Sequence, residues 1–213
     1  KFMSAARSAA RTKPVVVVKA GRFEEGARAA HSHTGALAGS DKVYQSAFRR
    51  AGLLRVFSLE ELFEAAEVTA RYRPLERARI AIVTNGGGAG VLAVDQLLDR
   101  GVELATLTAD TLTTLDRSLP ATWSQANPID IIGDAPPERY VAAVAAAAAD
   151  PEVDALLVMN CPTALADPVA AATAIAGGVM HGQIAGKPVL ACWLGKHAAE
   201  PARDVLQRAG GGC

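Results

Sequence analysis

Four stretches of the 213-residue chain are runs of apolar, mostly β-branched residues that stop at a turn signal. "PVVVVKAG" (14–21), "RIAIVTNGGGAG" (79–90) and "KPVLACWLG" (187–195) end in glycine, and "DALLVMNCPTA" (154–164) ends in Pro-Thr. Uninterrupted apolar runs of this length fit strands buried on both faces of a parallel sheet. A weaker run, "LLRVF" (53–57), is a second candidate strand in the first third. Between the runs, apolar residues recur at helical spacing over 40–51, 58–71, 89–100, 109–116, 136–149, 167–180 and 197–208. The "SLEE" at 58–61 is a capping-box signal. The prolines of "DAPPERY" suit a first helical turn, where a missing N–H costs nothing. Residues 1–11 have a basic, Ala/Ser-rich flavour of a transit peptide but fit an ordinary amphipathic helix better.

Alternating strands and helices predict βαβ units in a doubly wound parallel sheet with helices on both faces. From 79 to about 209 the pattern is that of a complete flavodoxin-like, Rossmann-like α/β domain. "RYRPLERA" (71–78) reads as a linker, giving expected domains of 1–74 and 75–213. The first of these offers one firm strand and three helices. It is therefore expected to be a truncated domain, with exposed edges and apolar faces that invite homo-oligomerisation.

Half of the residues are hydrophobic, and 22 basic residues balance 22 acidic ones. A balanced, scattered charge argues against nucleic acid or a polybasic membrane contact. No apolar run reaches the roughly 18 residues a membrane span needs. Three cysteines, Cys161, Cys192 and Cys213, lie far apart with no zinc spacing and no disulfide framework, so no metal site is expected and the cytoplasm is the expected compartment.

Two stretches carry candidate chemistry. "TNGGGAG" (84–90) joins a strand to a helix, and its glycines allow close backbone approach to an anion at a helix start. It is neither a P-loop nor a good dinucleotide fingerprint, and a tight turn needing glycine for packing fits it as well. "AAHSHTGALAG" (29–39) holds His31 and His33 in an expected loop of small residues. Metal binding, general-base work, a phosphoryl-carrying nucleophile and no role at all are each compatible with the pair. Asp130 and Asp134 of "NPIDIIGDA" fit turn capping better than a cation site. Asn160, Cys161 and Thr163 end a strand where doubly wound folds bind ligands, although a packed strand end suits them better, with Cys161 as a small buried hydrophobe. His181 and His197 read as solvated surface, and Trp123 and Trp193 as core.

The stretch "KAGRFEEGARAAHSHTGALAGSDKVYQSAFRRAGLLRVFSLEELFEAA" resembles the histidine-bearing region of NDP-forming acyl-CoA synthetases, relatives of succinyl-CoA synthetase. The downstream block from "AIVTNGGGAG" to "GKPVLACWLG" is similar to their ligase-CoA domain. The resemblance covers nearly the whole chain in the family's order. It implies a phosphohistidine at His33 within S-H-T-G, with Ser32, Thr34 and Gly35 beside it. It also implies that Gly86, Gly87, Gly88 and Ala89 start one of two helices facing the phosphoryl group.

The family's reaction interconverts acyl-CoA, phosphate and nucleoside diphosphate with acid, CoA and nucleoside triphosphate. CoA and ATP or ADP with Mg2+ are then substrates rather than tightly bound cofactors. The implied partners are a CoA-binding Rossmann domain and an ATP-grasp module, in the same or another chain. Without them this chain is expected to be inactive. An alternative is the synthetase-like regulatory region of a GNAT-fused protein lysine acetyltransferase, and a CoA- or acyl-sensing module ranks third. The histidine favours the synthetase.

Overall fold

The apolar runs of the second half become strands with both faces covered, whereas Val16–Val18, expected to be buried on both faces, is part-exposed, with Val18 38% exposed. In the computed structural model the described residues are 2–34, 40–72, 75, 77–184 and 186–209; the side chains of residues 30 and 32–34 lie outside that set. The chain divides into two compact units, Lys1–Arg73 and Pro74–Cys213.

The first unit runs α1 (Phe2–Ala10), β1 (Val16–Val18), α2 (Glu24–Thr34), α3 (Asp41–Ala51), β2 (Leu54–Val56) and α4 (Leu59–Arg71). The weak run at 53–57 is indeed a strand, pairing parallel to β1 from Val16↔Leu54 to Val18↔Val56. Its small core joins Ala6, Phe48, Ala51 and Leu53. Gly52 ends α3 in the left-handed region at φ 73°, which a glycine adopts without steric cost. Ser58 caps α4 by accepting from the Glu61 N–H at 3.0 Å. The Glu61 carboxylate reaches back to the Phe57 N–H at 2.6 Å, one residue before the N-cap N–H that a capping box engages.

One expectation fails here: His31 and His33 do not lie in a loop but in the last turns of α2. Its first turn carries Glu24 and Glu25, which favour a helix start. The repeated alanines that read as loop filler are strong helix formers.

The second unit runs β3 (Arg79–Thr84), α5 (Gly87–Asp99), β4 (Glu103–Leu104), α6 (Ala109–Ser118), β5 (Ile129–Asp130), α7 (Pro137–Ala149), β6 (Ala155–Asn160), α8 (Pro168–Met180), β7 (Val189–Trp193) and α9 (Lys196–Arg208). All pairings are parallel, in the order β4-β3-β6-β7, with β5 pairing the end of β3. The expected α/β class holds. The two short strands β4 and β5 were not expected, and β5 lies inside a stretch that reads as turn chemistry. Between them the Asn127 carboxamide takes a strand's place beside β3. It accepts from Ile82 N–H and donates to the carbonyls of Ile80 and Ala105, all within 2.8–2.9 Å.

Along β3, Ile80 and Ile82 face one side, where Ala89, Ala93, Val94 and Leu97 of α5 cover them. Ala81 and Val83 face the other, against a larger core that includes Tyr140, Val144 and Ala147 of α7 and Ile175 of α8. Trp123 and Trp193 are buried in it as expected, with their indole N–H groups donating to Asp116 Oδ1 and Pro168 O. His181 and His197 are exposed, also as expected.

Candidate functional site

After β3 the chain winds to one side of that strand through β4 and β5, then returns to its other side as β6. The carboxyl ends of β3 and β6 therefore flank the point where winding reverses, the place where open α/β sheets hold ligands. Three loops meet there: 84–89 after β3, 130–134 after β5, and 160–163 after β6.

Hydrogen bonds join the loops. The Asn85 side chain, 3% exposed, donates from Nδ2 to Cys161 O at 3.0 Å and accepts through Oδ1 from Cys161 N–H at 2.7 Å. One carboxamide thus continues the β3–β6 pairing beyond its last strand residues. Thr163 Oγ1 donates to Gly133 O at 2.9 Å and ties the β6 loop to the β5 loop. Asp130 Oδ1 accepts from Ile132 N–H at 2.9 Å, the turn-capping role expected of it. Asp134 instead pairs with Arg139 at 2.6 Å. Asn160 is a packed strand end, donating to the Tyr140 hydroxyl at 2.8 Å. Burial pushes the Tyr140 hydroxyl well above its ordinary range.

Gly86 is the N-cap of α5. Its N–H is taken by Thr84 Oγ1 at 3.0 Å, and its carbonyl accepts the first intrahelical bond, from Gly90 N–H at 3.1 Å. The N–H groups of Gly87, Gly88 and Ala89 precede that bond, so they project from the helix start with no intrahelical acceptor. They form a cluster of donors at the positive end of the helix dipole.

Close packing accounts for two of the glycines. A Cβ on Gly86 would stand 2.5 Å from Cys161 Sγ, and one on Gly87 would stand 2.7 Å from Asp130 Oδ2. Cys161, expected to be a small buried hydrophobe, is half-buried, with its thiol lying against Gly86. Loss of solvent around it pushes the thiol pKa up, away from ready reactivity. No sequence pattern marks the Asn85 tie; an asparagine directly before a glycine turn signals only the turn.

Of the other site residues, Ser32, His33 and Thr34 end α2 in the first unit, and their side chains, with all of Gly35, lie outside the described residues. Among the described residues no group of three or more His, Cys, Asp or Glu side chains is placed to hold a metal, and no helix is long and apolar enough to cross a membrane.

Residues 1–69 match the succinyl-CoA ligase like flavodoxin domain, and residues 80–210 match the ligase-CoA domain. The chain is 40% identical over 210 residues to acetate–CoA ligase (ADP-forming) I of Archaeoglobus fulgidus, covering 99% of this chain and 29% of that protein. It is 36% identical over 212 residues to the alpha subunit of acetate–CoA ligase (ADP-forming) I of Pyrococcus furiosus, covering 99% of this chain and 45% of the subunit. The solved dinucleotide forming acetyl-coenzyme A synthetase 1 of Ca. Korarchaeum cryptofilum, in complex with phosphate and ADP, matches with a TM-score of 0.87 at 36% identity, over 99% of this chain and 45% of that one. The chain thus spans less than half the length of each of these relatives.

Proposed function

The chain belongs to the ligase-CoA domain family and is homologous to ADP-forming acetate–CoA ligases, and on that premise we propose that it is the phosphoryl-relay part of an NDP-forming acyl-CoA synthetase. In this reading the enzyme works on acetate or a similar small acid, with ADP as the nucleotide. The neutral imidazole of His33 attacks the phosphorus of the acyl phosphate, and the bond from phosphorus to the acyl oxygen breaks, releasing the carboxylate. The phosphoryl group then passes to a terminal oxygen of ADP, which frees the ring. Ser32, Thr34 and Gly35 belong to the histidine's motif in the sequence and are the residues assigned to the phosphoryl group beside it.

The α5 start receives the phosphoryl group. Gly87, Gly88 and Ala89 supply N–H groups, and Gly86 supplies the close-packed N-cap that aims them. These three amides at the winding reversal are the observation that carries the proposal. A helix terminus contributes about 0.3–2 kcal/mol to an anion, so a second helix is needed to hold a dianion comfortably. The CoA-binding domain and the ATP-grasp module that holds nucleotide with Mg2+ belong to the rest of the enzyme, in the same or a partner chain.

The test uses the intact enzyme containing this chain, given acetyl-CoA, inorganic phosphate and ADP. His33→Asn is expected to lower ATP formation by about a thousandfold or more; an unchanged rate overturns the proposal. The 213-residue chain alone is expected to form no ATP from the same mixture.

A further inference from the structure

Three cations meet one carboxylate near the carboxyl ends of β1 and β2 in the first unit. Asp41 opens α3, the next described helix after the histidine motif, eight positions beyond His33. Its Oδ1 accepts from Arg55 Nη2 at 2.5 Å, and Arg55 Nη1 donates to Gln45 Oε1 at 2.8 Å. Asp41 and Gln45 are four positions apart, so they share a face of α3. The two arms of one guanidinium therefore grip both, and they reach out from β2, the strand that follows α3. Among the described residues, the N-cap Ser40 gives this helix start no side-chain bond. Lys19, just after β1, donates to the carbonyls of Ala20 and Gly21 at 3.1 and 3.2 Å and stands over the Tyr44 ring of α3. Arg22 stands over the Phe57 ring. The Arg55 hydrogen bond first, then the charges of Arg55, Lys19 and Arg22, hold the Asp41 carboxyl below its ordinary range.

This grip is a poor way to gain stability. The Arg55 side chain is 4% exposed, lies against the Phe48 and Phe57 rings, and leaves Nε with no hydrogen-bond partner among the described residues. Burying a guanidinium costs free energy that pairing often does no more than repay, and an apolar side chain of similar volume does as well or better. What a forked, buried pair adds is position. Two directional bonds from one rigid plane fix both where a helix begins and how it is turned about its axis. We propose that Arg55 is a positioning residue for the phosphoryl relay: by holding Asp41 and Gln45 it fixes the point at which α3 receives the chain from His33, and so limits where the imidazole can stand. It acts through α3 rather than on the phosphoryl group. A misplacement of about 1 Å can cost a reaction two orders of magnitude in rate, so a small turn of α3 is enough.

This inference rests on the reading of His33 as the phosphoryl carrier, and the experiment separates the two. The intact enzyme containing this chain is assayed for ATP formation from acetyl-CoA, inorganic phosphate and ADP, and the 213-residue chain is unfolded in urea. Arg55→Met fills the space between the two rings without the fork and leaves Asp41 to solvent, Lys19 and Arg22. It is expected to unfold cooperatively within about 0.5 M of the wild-type midpoint. Its kcat is expected to fall about tenfold or more, with each KM within about twofold of wild type. Arg55→Lys can reach one acceptor but cannot span two, and is expected to recover part of kcat. Asp41→Asn is expected to lose rate as Arg55→Met does. The double variant should be no slower than the slower single one, because both changes break the same grip.

An unchanged kcat in Arg55→Met, with ATP formation still stopped by His33→Asn, overturns the role of Arg55 and leaves the relay standing. So does a fall in kcat that comes with loss of cooperative unfolding, or a change confined to KM, since either assigns the grip to something other than placing the nucleophile. Rate losses that multiply in the double variant overturn it as well. An unchanged rate in His33→Asn overturns the relay and the inference together.

Discussion

At the amino ends of β3 and β6, Arg79 donates from its main chain, Nε and Nη2 to the two oxygens of Asp154, while its Nη1 bonds Glu152. Beside them Lys187 Nζ donates to Asp150 O. At the carboxyl ends of the same two strands the tie is one neutral carboxamide, Asn85, bridging both backbone groups of Cys161. The amino end joins its strands with opposite charges that cancel locally. The carboxyl end joins them without charge and without using the amides of Gly87, Gly88 and Ala89, so the field of the α5 terminus stays available to an incoming anion. Charge placement distinguishes the two ends of the sheet, and the proposed function puts the chemistry at the uncharged one.

The largest expected effect breaks the neutral tie. Asn85→Ala leaves a part-buried donor and a part-buried acceptor of Cys161 without partners, at up to roughly 1–3 kcal/mol for each such group. A loss of about 2–4 kcal/mol in urea unfolding of the full chain is expected, together with weaker phosphate binding. Unchanged stability would mean that water replaces the carboxamide and that the two loops are held by something else.

Much of this architecture is legible in the sequence because it depends on local pattern. Strands β3, β6 and β7 are apolar runs buried on both faces, and Pro137 and Ser58 mark helix starts by their own chemistry. What escapes notice depends on partners distant in sequence. The strand β5 exists because Val83 and Thr84 offer it an edge, and two residues carry no periodicity to read. Asn127 looks like half of a turn dipeptide and instead fills the gap between β4 and β5. Helix α2 was missed for a different reason: its alanines and histidine pair suggest an open loop, while its acidic first turn and helix-forming residues settle the backbone. At the glycine turn the helix start could be read in advance. That Gly86 and Gly87 answer to Cys161 and Asp130, 75 and 43 positions away, could not.

A smaller effect sharpens the packing half of the comparison. Gly86→Ala sets a methyl 2.5 Å from Cys161 Sγ and 3.0 Å from its Cβ, so one loop must shift. Overpacking of this kind costs about 1–3 kcal/mol. Cys161→Ala in the same chain is expected to recover part of the loss, since it removes the nearer contact and leaves the other. Additive losses in the double variant would show that the two positions do not press on each other.

The smallest effect belongs to the charged end and is read through pH. The Arg79 guanidinium, by hydrogen bond and then by charge, holds the Asp154 carboxyl down to about 2 against an ordinary 3.8. A depressed acid stabilises the fold above its unfolded pKa, and that contribution is lost as pH falls through the folded value. Asp154→Asn removes the charge while keeping one acceptor, and solvent screens the pair. A loss of about 0.5–1 kcal/mol at neutral pH is therefore expected. Between neutrality and about pH 4 the gap to wild type should stay constant, then close as pH approaches 2, because the wild-type carboxyl takes up its proton there. A gap that persists to the acid limit would assign the loss to packing and remove the charge from the account of this end. Phosphate binding, whose groups sit at the opposite end of the strands, should be unchanged throughout; if it moved with Asp154, the two ends would not be independent.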